Sequence, residues 1–273
     1  MYENYWHLNQ KPFENAADPR FYYPAESHQA ALLKLRYAVE NRRGGALLAG
    51  PSGSGKTLVT AMLRGMLDED FSPFVHLVFP QMPTSDLLAY LADELDGRGC
   101  AVENSDIGVS VRRIERFLAA NVAKGRHAVI AIDEAHLIES PDALDALRLL
   151  LNFEPAGRPA LTLLLVGQTS LLPLMDRTPQ WEERLAVKCL VRPFSEAETA
   201  AYVEHRLRAA GATQPIVDPT ALPTLQELTH GIARQINRLC DLALLVGFAE
   251  EQKTLDASHF ESVCRELVAV TPE

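Results

Sequence analysis

The residues best equipped for chemistry lie in two short runs, GPSGSGKT at Gly50–Thr57 and the Asp133–Glu134 pair inside HAVIAIDEAH. The first matches G-x-x-x-x-G-K-[ST] in full, with an apolar run before it and a helical pattern after it. A triphosphate tail is strongly anionic and has to be held without steric hindrance. Gly50, Gly53 and Gly55 let a loop curl so that its backbone N–H groups point inward, and the next helix adds the positive end of its dipole. Pro51, Ser52, Ser54 and Leu58 complete the expected lining. Lys56 is expected to reach the β- and γ-phosphates, and the Thr57 hydroxyl to ligate Mg2+. The expected ligand is ATP with Mg2+.

Asp133 and Glu134 end an apolar run 75 residues downstream. A carboxylate near the metal suits Asp133, so the expected metal ligands are Thr57 and Asp133. A base that orients the attacking water suits Glu134. Asp133–His136 spells DEAH, but helicases of that name carry two motor domains and further motifs; His136 is assigned no chemistry. LLLVGQTSL ends another apolar run with Gln168, placed to hydrogen-bond the γ-phosphate or the attacking water. Arg184 in WEERLAVK is the candidate arginine supplied to a neighbouring subunit's transition state, ahead of Lys188 and Arg177. Its bland alternative is a surface arginine paired with Glu182, Glu183 or a helix end. Arg234 in THGIARQINRLCDLALL sits at the start of a predicted helix, where it leans over the phosphates; Arg238 is one turn later.

These residues need a parallel sheet to converge, since ligands of open α/β sheets gather at the carboxyl edge. The spacing predicts strands GALLAG, PFVHLVF (73–79), HAVIAID (127–133), ALTLLLVG (160–167) and AVKCLV (186–191). Amphipathic helices alternate with them, at 28–42, 56–67, 84–96, 109–123 and 141–152. A helix from Ser195 opens with Ser-x-x-Glu, a capping-box signature. Beyond GATQPIVDP three helices are predicted over 219–270. The expected fold is a P-loop α/β architecture of five parallel strands with helices on both faces and a small all-helical lid. The expected divisions are an irregular segment at 1–27 packed on the core, the P-loop domain at 28–212 and the lid at 213–273. Phe21, Tyr22, Tyr23 and His28 precede the loop; core packing is favoured for them over adenine contact.

Composition narrows the alternatives. The chain has 273 residues, 47% hydrophobic and 23% charged, which excludes fibrous and wholly disordered classes. Its formal charge is −10, against wrapping duplex DNA by charge alone. Lys34, Arg36, Arg42 and Arg43 form the one visible basic cluster, read first as a solvated helix face. Cys100, Cys189, Cys240 and Cys264 are far apart, without metal or disulfide spacing. No run approaches the ~20 apolar residues of a membrane span, and no leader pattern opens the chain; a cytoplasmic protein is expected.

The full set of motifs resembles the AAA+ ATPases. YWHLNQKPFENAADPRFYYP, HQAALLKLRYAVENRRG, LLLVGQ, AETAAYVEHRLRAAG and GIARQINRLCDLALL are similar to the AAA domain of the general secretion pathway protein A group and its relatives, the MSHA pilus biogenesis ATPases. The resemblance implies nucleotide contacts at Lys56, Thr57, Asp133 and Glu134, with sensor roles for Gln168 and Arg234. Ala233 departs from the proline usual before the sensor arginine. It also implies a ring or helical oligomer that couples ATP turnover to assembly of a secretion or pilus system, reaching the inner membrane through partners. Transposition ATPases of the TniB/MuB kind share much of the motif set, so the alternative is an ATP-dependent DNA-binding adaptor.

Overall fold

The computed structural model describes residues 1–97 and 106–269. Cys100 therefore lies outside the described residues. The chain divides into two units, one formed by Ser27–Gly50 and Val59–Val191, the other by Met1–Glu26, Pro51–Leu58 and Arg192–Glu273.

The first unit holds the sheet. Its strands are β1 (Gly45–Ala49), β2 (Phe74–Leu77), β3 (Ala128–Ile132), β4 (Leu161–Gly167) and β5 (Leu185–Leu190), in the spatial order β2-β3-β4-β1-β5. All neighbours pair in parallel. Every residue of β1, β3 and β4 is buried, as interior strands covered on both faces require. The edge strands are partly exposed, and β5 carries the edge Lys188, held by Asp176 and Glu182.

Helices connect the strands: α1 (Glu26–Glu40), α2 (Lys56–Met66), α3 (Thr84–Asp96), α4 (Ile107–Ala123), α5 (Pro141–Leu150), α6 (Leu171–Asp176) and α7 (Pro179–Glu182). The start of α5 follows from its sequence: Ser140 accepts from Ala143 N at 3.4 Å, and Pro141 takes the first helical position. Apolar faces of α3, α4 and α5 join the sheet in one core that includes Leu47, Leu88, Leu118, Ile130, Leu147 and Trp181. The second strand is shorter than its apolar run. Asp133 N takes Leu77 O (2.8 Å) as β3 ends, so Val78 and Phe79 run past the ladder and are exposed.

The second unit contains α8 (Glu196–Ala209), α9 (Leu222–Thr229), α10 (Ala233–Ala249) and α11 (Ala257–Ala269). The capping box of α8 forms both bonds, Glu198 N to Ser195 Oγ (3.2 Å) and Ser195 N to Glu198 Oε2 (2.9 Å). These helices share a core with Tyr2, Trp6, Leu8, Phe13 and Phe21. The N-terminal segment thus packs on the helices, and α8 groups with them instead of with the sheet. The reason is the buried Arg206 of α8. It donates to Pro12 O (2.5 Å) and Glu14 O (2.8 Å) and stacks on the Phe21 ring, 4.4 Å from its centroid. Tyr23 packs edge-on against Phe194 and Tyr202, so these aromatics are core residues. Among the described residues no helix is long and apolar enough to cross a membrane.

Candidate functional site

The glycine loop is built from the end of β1. Gly50 N donates to Gly167 O at the end of β4 (3.2 Å), fixing the departure point at the sheet's carboxyl edge. The following residues curl through Ser54 N to Pro51 O (3.3 Å), with Gly53 at φ +75° and Gly55 at φ +93°. These left-handed conformations are open to glycine without steric cost. Lys56 opens α2 and is buried; its ammonium donates to Pro51 O at 2.8 Å, inside the curl. The first-turn N–H groups of α2 belong to Lys56, Thr57 and Leu58, a helix start suited to an anion.

Arg234 meets this loop. As the second residue of α10 it donates its backbone N–H to Gly53 O at 3.0 Å. The helix has no side-chain cap, so the loop carbonyl satisfies one of its orphan donors. A Cβ on Gly53 would stand 2.7 Å from Arg234 Cβ and 3.4 Å from Ile232 Cγ2. Gly53 is therefore needed twice, for its φ and for the approach of α10. The start of α10 is secured through Gly53 O even though Ala233 replaces the rigid proline.

The acidic pair leaves β3 at the same edge of the sheet. Asp133 is buried, and its Oδ1 accepts the Glu134 N–H at 2.9 Å. Its Oδ2 lies 3.6 Å from His76 Nε2. Glu134 sits at φ +49°, a left-handed conformation that costs a non-glycine residue free energy and turns its side chain out of the strand direction. Gln168 follows β4, and its backbone N–H points to His136 Nδ1 at 3.4 Å. That same Nδ1 is 3.3 Å from Glu134 Oε2. His136, given no chemistry from sequence, thus joins the Glu134 and Gln168 turns. The signal available in the sequence was its position two residues after the acidic pair. Gly167 makes room for it: a Cβ there would fall 3.1 Å from His136 Nδ1 and 2.6 Å from Leu171 Cδ1.

Arg184 is elsewhere. It precedes β5, so it lies at the amino edge, while Asp133 and Gln168 follow the carboxyl ends of β3 and β4. Strands of this length separate the two edges by roughly 17–23 Å at about 3.3 Å per residue. Arg184 is exposed, and its Nη2 donates to Asn152 Oδ1 at 2.6 Å; Glu182 pairs with Lys188 instead. Within the chain it is not brought to the acidic pair.

An AAA domain family profile matches residues 39–175, a span that holds the loop, the acidic pair and Gln168. The chain belongs to the AAA domain family. It is 36% identical over 255 residues to general secretion pathway protein A of Aeromonas hydrophila, covering 91% of the chain and 45% of that protein. The chain thus spans under half the length of this relative. The fold is that of Cdc6p from Pyrobaculum aerophilum (TM-score 0.75, 15% identity, 96% of this chain and 74% of that one). It is also that of the Aeropyrum pernix ORC2 protein in ADPNP-ADP complexes (0.73, 15%, 97% and 73%). The Thermotoga maritima RuvB branch migration motor is a more distant likeness (0.58, 16%, 89% and 69%). The P-loop α/β sheet with its helical C-terminal region is thus shared with these AAA proteins.

Proposed function

We propose that this AAA domain binds ATP at the Gly50–Leu58 loop and hydrolyses it as one subunit of an oligomer. The observation that carries the reading is the complete loop motif folded between strand and helix, with Lys56 buried inside the curl. When phosphate enters, the Lys56 ammonium exchanges the Pro51 carbonyl for a charge-assisted bond to phosphate, which is stronger. A hydroxyl and a carboxylate are the hard oxygen donors that magnesium takes, and Thr57 and Asp133 are proposed to hold it, with phosphate and water completing the set. Mg2+, when bound, neutralises charge on the transferring phosphoryl group.

Glu134 orients the attacking water and takes up its proton. Water oxygen bonds to the γ-phosphorus, the bond to the bridging β,γ-oxygen breaks, and ADP leaves with that electron pair. Gln168 steadies the attacking water or the γ-phosphate. Arg234 contributes positive charge from α10. Arg184, remote from its own subunit's acidic pair, completes the site of a neighbour, which is why an oligomer is proposed. By its 36% identity to general secretion pathway protein A, the client is proposed to be a secretion or pilus assembly system, reached at the inner membrane through partner proteins.

The test is turnover with variants. Lys56→Ala loses ATP binding, and Glu134→Gln binds ATP without hydrolysing it. Mixing Glu134→Gln with Arg184→Ala subunits restores turnover, because one partner supplies the arginine and the other the base. Full turnover by a monomer, or by Arg184→Ala alone, overturns the shared site. Undiminished ATP binding by Lys56→Ala overturns the whole reading. Unchanged secretion and pilus output after loss of the gene overturns the client.

A further inference from the structure

The sheet order gathers basic loops that are far apart in sequence. Three segments lead into neighbouring strands: Asn41–Gly44 into β1, Lys124–His127 into β3, and the stretch ending Gly157-Arg158-Pro159-Ala160 into β4. They carry Arg42, Arg43, Lys124, Arg126 and Arg158, all at the amino edge, opposite the loop's departure point. Arg43, Lys124, Arg126 and Arg158 are exposed, and among the described residues no carboxylate pairs with them. Lys34 and Arg36 lie on α1, and Arg36 pairs with Glu40 (2.7 Å), so the basic cluster seen in the sequence is only partly the one the fold builds.

The platform is braced. Arg42 Nη2 donates to Gly125 O (3.1 Å), Thr162 Oγ1 donates to Arg43 O (2.7 Å), and Ala128 N donates to Ala160 O (3.1 Å). Each loop sets a glycine beside its cation, and at Gly125 and Gly157 a Cβ would meet nothing within 4 Å. The backbone there is open to close approach. Of the large apolar side chains on these loops, Leu151 is buried and Phe153 packs against the core, so neither is offered as an anchor of the kind found at the centre of a protein–protein interface. Glu154 is the one acidic side chain on these loops; acidic residues flank them on either side, Asp68–Asp70 before β2, where His127 N donates to Asp70 O (2.7 Å), and Glu182–Glu183 before β5. A row of exposed cations, unpaired among the described residues and three of them the forked guanidinium groups of Arg43, Arg126 and Arg158, suits phosphates, which are recognised by positive charge and side-chain N–H donors.

We infer that the amino edge at β3, β4 and β1 binds the sugar–phosphate backbone of duplex DNA without reading its sequence. Two strand spacings cover about 10 Å, and a duplex presents one charge per about 1.7 Å of axis, so four phosphate contacts are within reach. The surface lies at the opposite edge of the sheet from the acidic pair, and the inference does not rest on ATP hydrolysis.

The test is binding of a short fluorescent duplex, without nucleotide, across a salt series. Four contacts predict a slope of log K on log salt near −3.6, a loss of about 10²-fold from about 50 to about 200 mM salt. The variant Arg43→Glu/Lys124→Glu/Arg126→Glu/Arg158→Glu loses the binding and keeps ATP turnover and its melting temperature. Should it not fold, Lys124→Ala and Arg158→Ala each flatten the slope by about 1. No duplex binding by the wild type at low salt overturns the inference. So does unaltered binding by these variants, or equal competition by polyglutamate of matched charge, which would point to an acidic protein instead.

Discussion

Gly53→Ala is the substitution that best tests how the loop and α10 are joined. Alanine at φ +75° costs about 1–2 kcal/mol in backbone strain. Its Cβ would also stand 2.7 Å from Arg234 Cβ, an overpacked contact worth about 1–3 kcal/mol. The expected total is about 2–5 kcal/mol. The two parts separate in a double-mutant cycle. Arg234→Gly removes the opposing Cβ at a helix-propensity cost of about 1 kcal/mol, so the double variant is expected to be about 1–3 kcal/mol more stable than the sum of the singles. Arg234→Ala keeps the Cβ and gives no such relief. The assay is urea unfolding of the nucleotide-free protein followed by circular dichroism. Additivity within about 0.5 kcal/mol, or equal relief by Arg234→Ala, refutes the claim that α10 rests on the missing side chain of Gly53.

Three further outcomes follow from the geometry. His127 is buried with Nδ1 3.1 Å from Pro159 O, and burial lowers its pKa to about 4 from 6.5. The unfolded chain binds the extra proton between those values, so its contribution is complete above pH 6.5 and is lost as pH falls toward 4, about 3 kcal/mol in all; His127→Gln flattens that slope in urea titrations. His136→Ala, by freeing the Glu134 and Gln168 turns, lowers kcat about tenfold or more and leaves the KM for ATP near its original value; an unchanged kcat removes His136 from the site. Arg206→Lys strands the carbonyls of Pro12 and Glu14, and thermal melts should register a loss of about 2 kcal/mol or more.

The parts of the site that the sequence disclosed are those in which chemistry and chain neighbourhood coincide. Gly50–Thr57 carries its curl, its lysine and its helix start within eight consecutive residues, and the Ser195–Glu198 capping box closes within four. Features set by long-range packing were hidden. The second strand reads through Phe79, yet its length is set by where β3 stops pairing. Arg234 is recognisable as a candidate from its helix position, but its backbone bond to Gly53 O joins residues 181 positions apart. His136 shows in the sequence only as the residue two after the acidic pair; its meaning comes from the Gln168 N–H arriving on another strand.

The same logic explains why net charge is a poor guide to partners here. A formal −10 is a sum over the whole chain, whereas a phosphate meets only the charges within about a Debye length, about 8 Å at physiological salt. Strand order decides which charges those are. With β4 between β3 and β1, residues 42–43, 124–126 and 158 fall side by side on one edge, and the acidic segments before β2 and β5 flank them without interrupting the row. A parallel sheet that placed β2 or β5 between these strands would interleave the cations with acidic loops and break up the basic face. The proposed nucleic-acid surface is thus a property of the topology, and the salt slope of the wild type against the charge-reversed variant measures it directly.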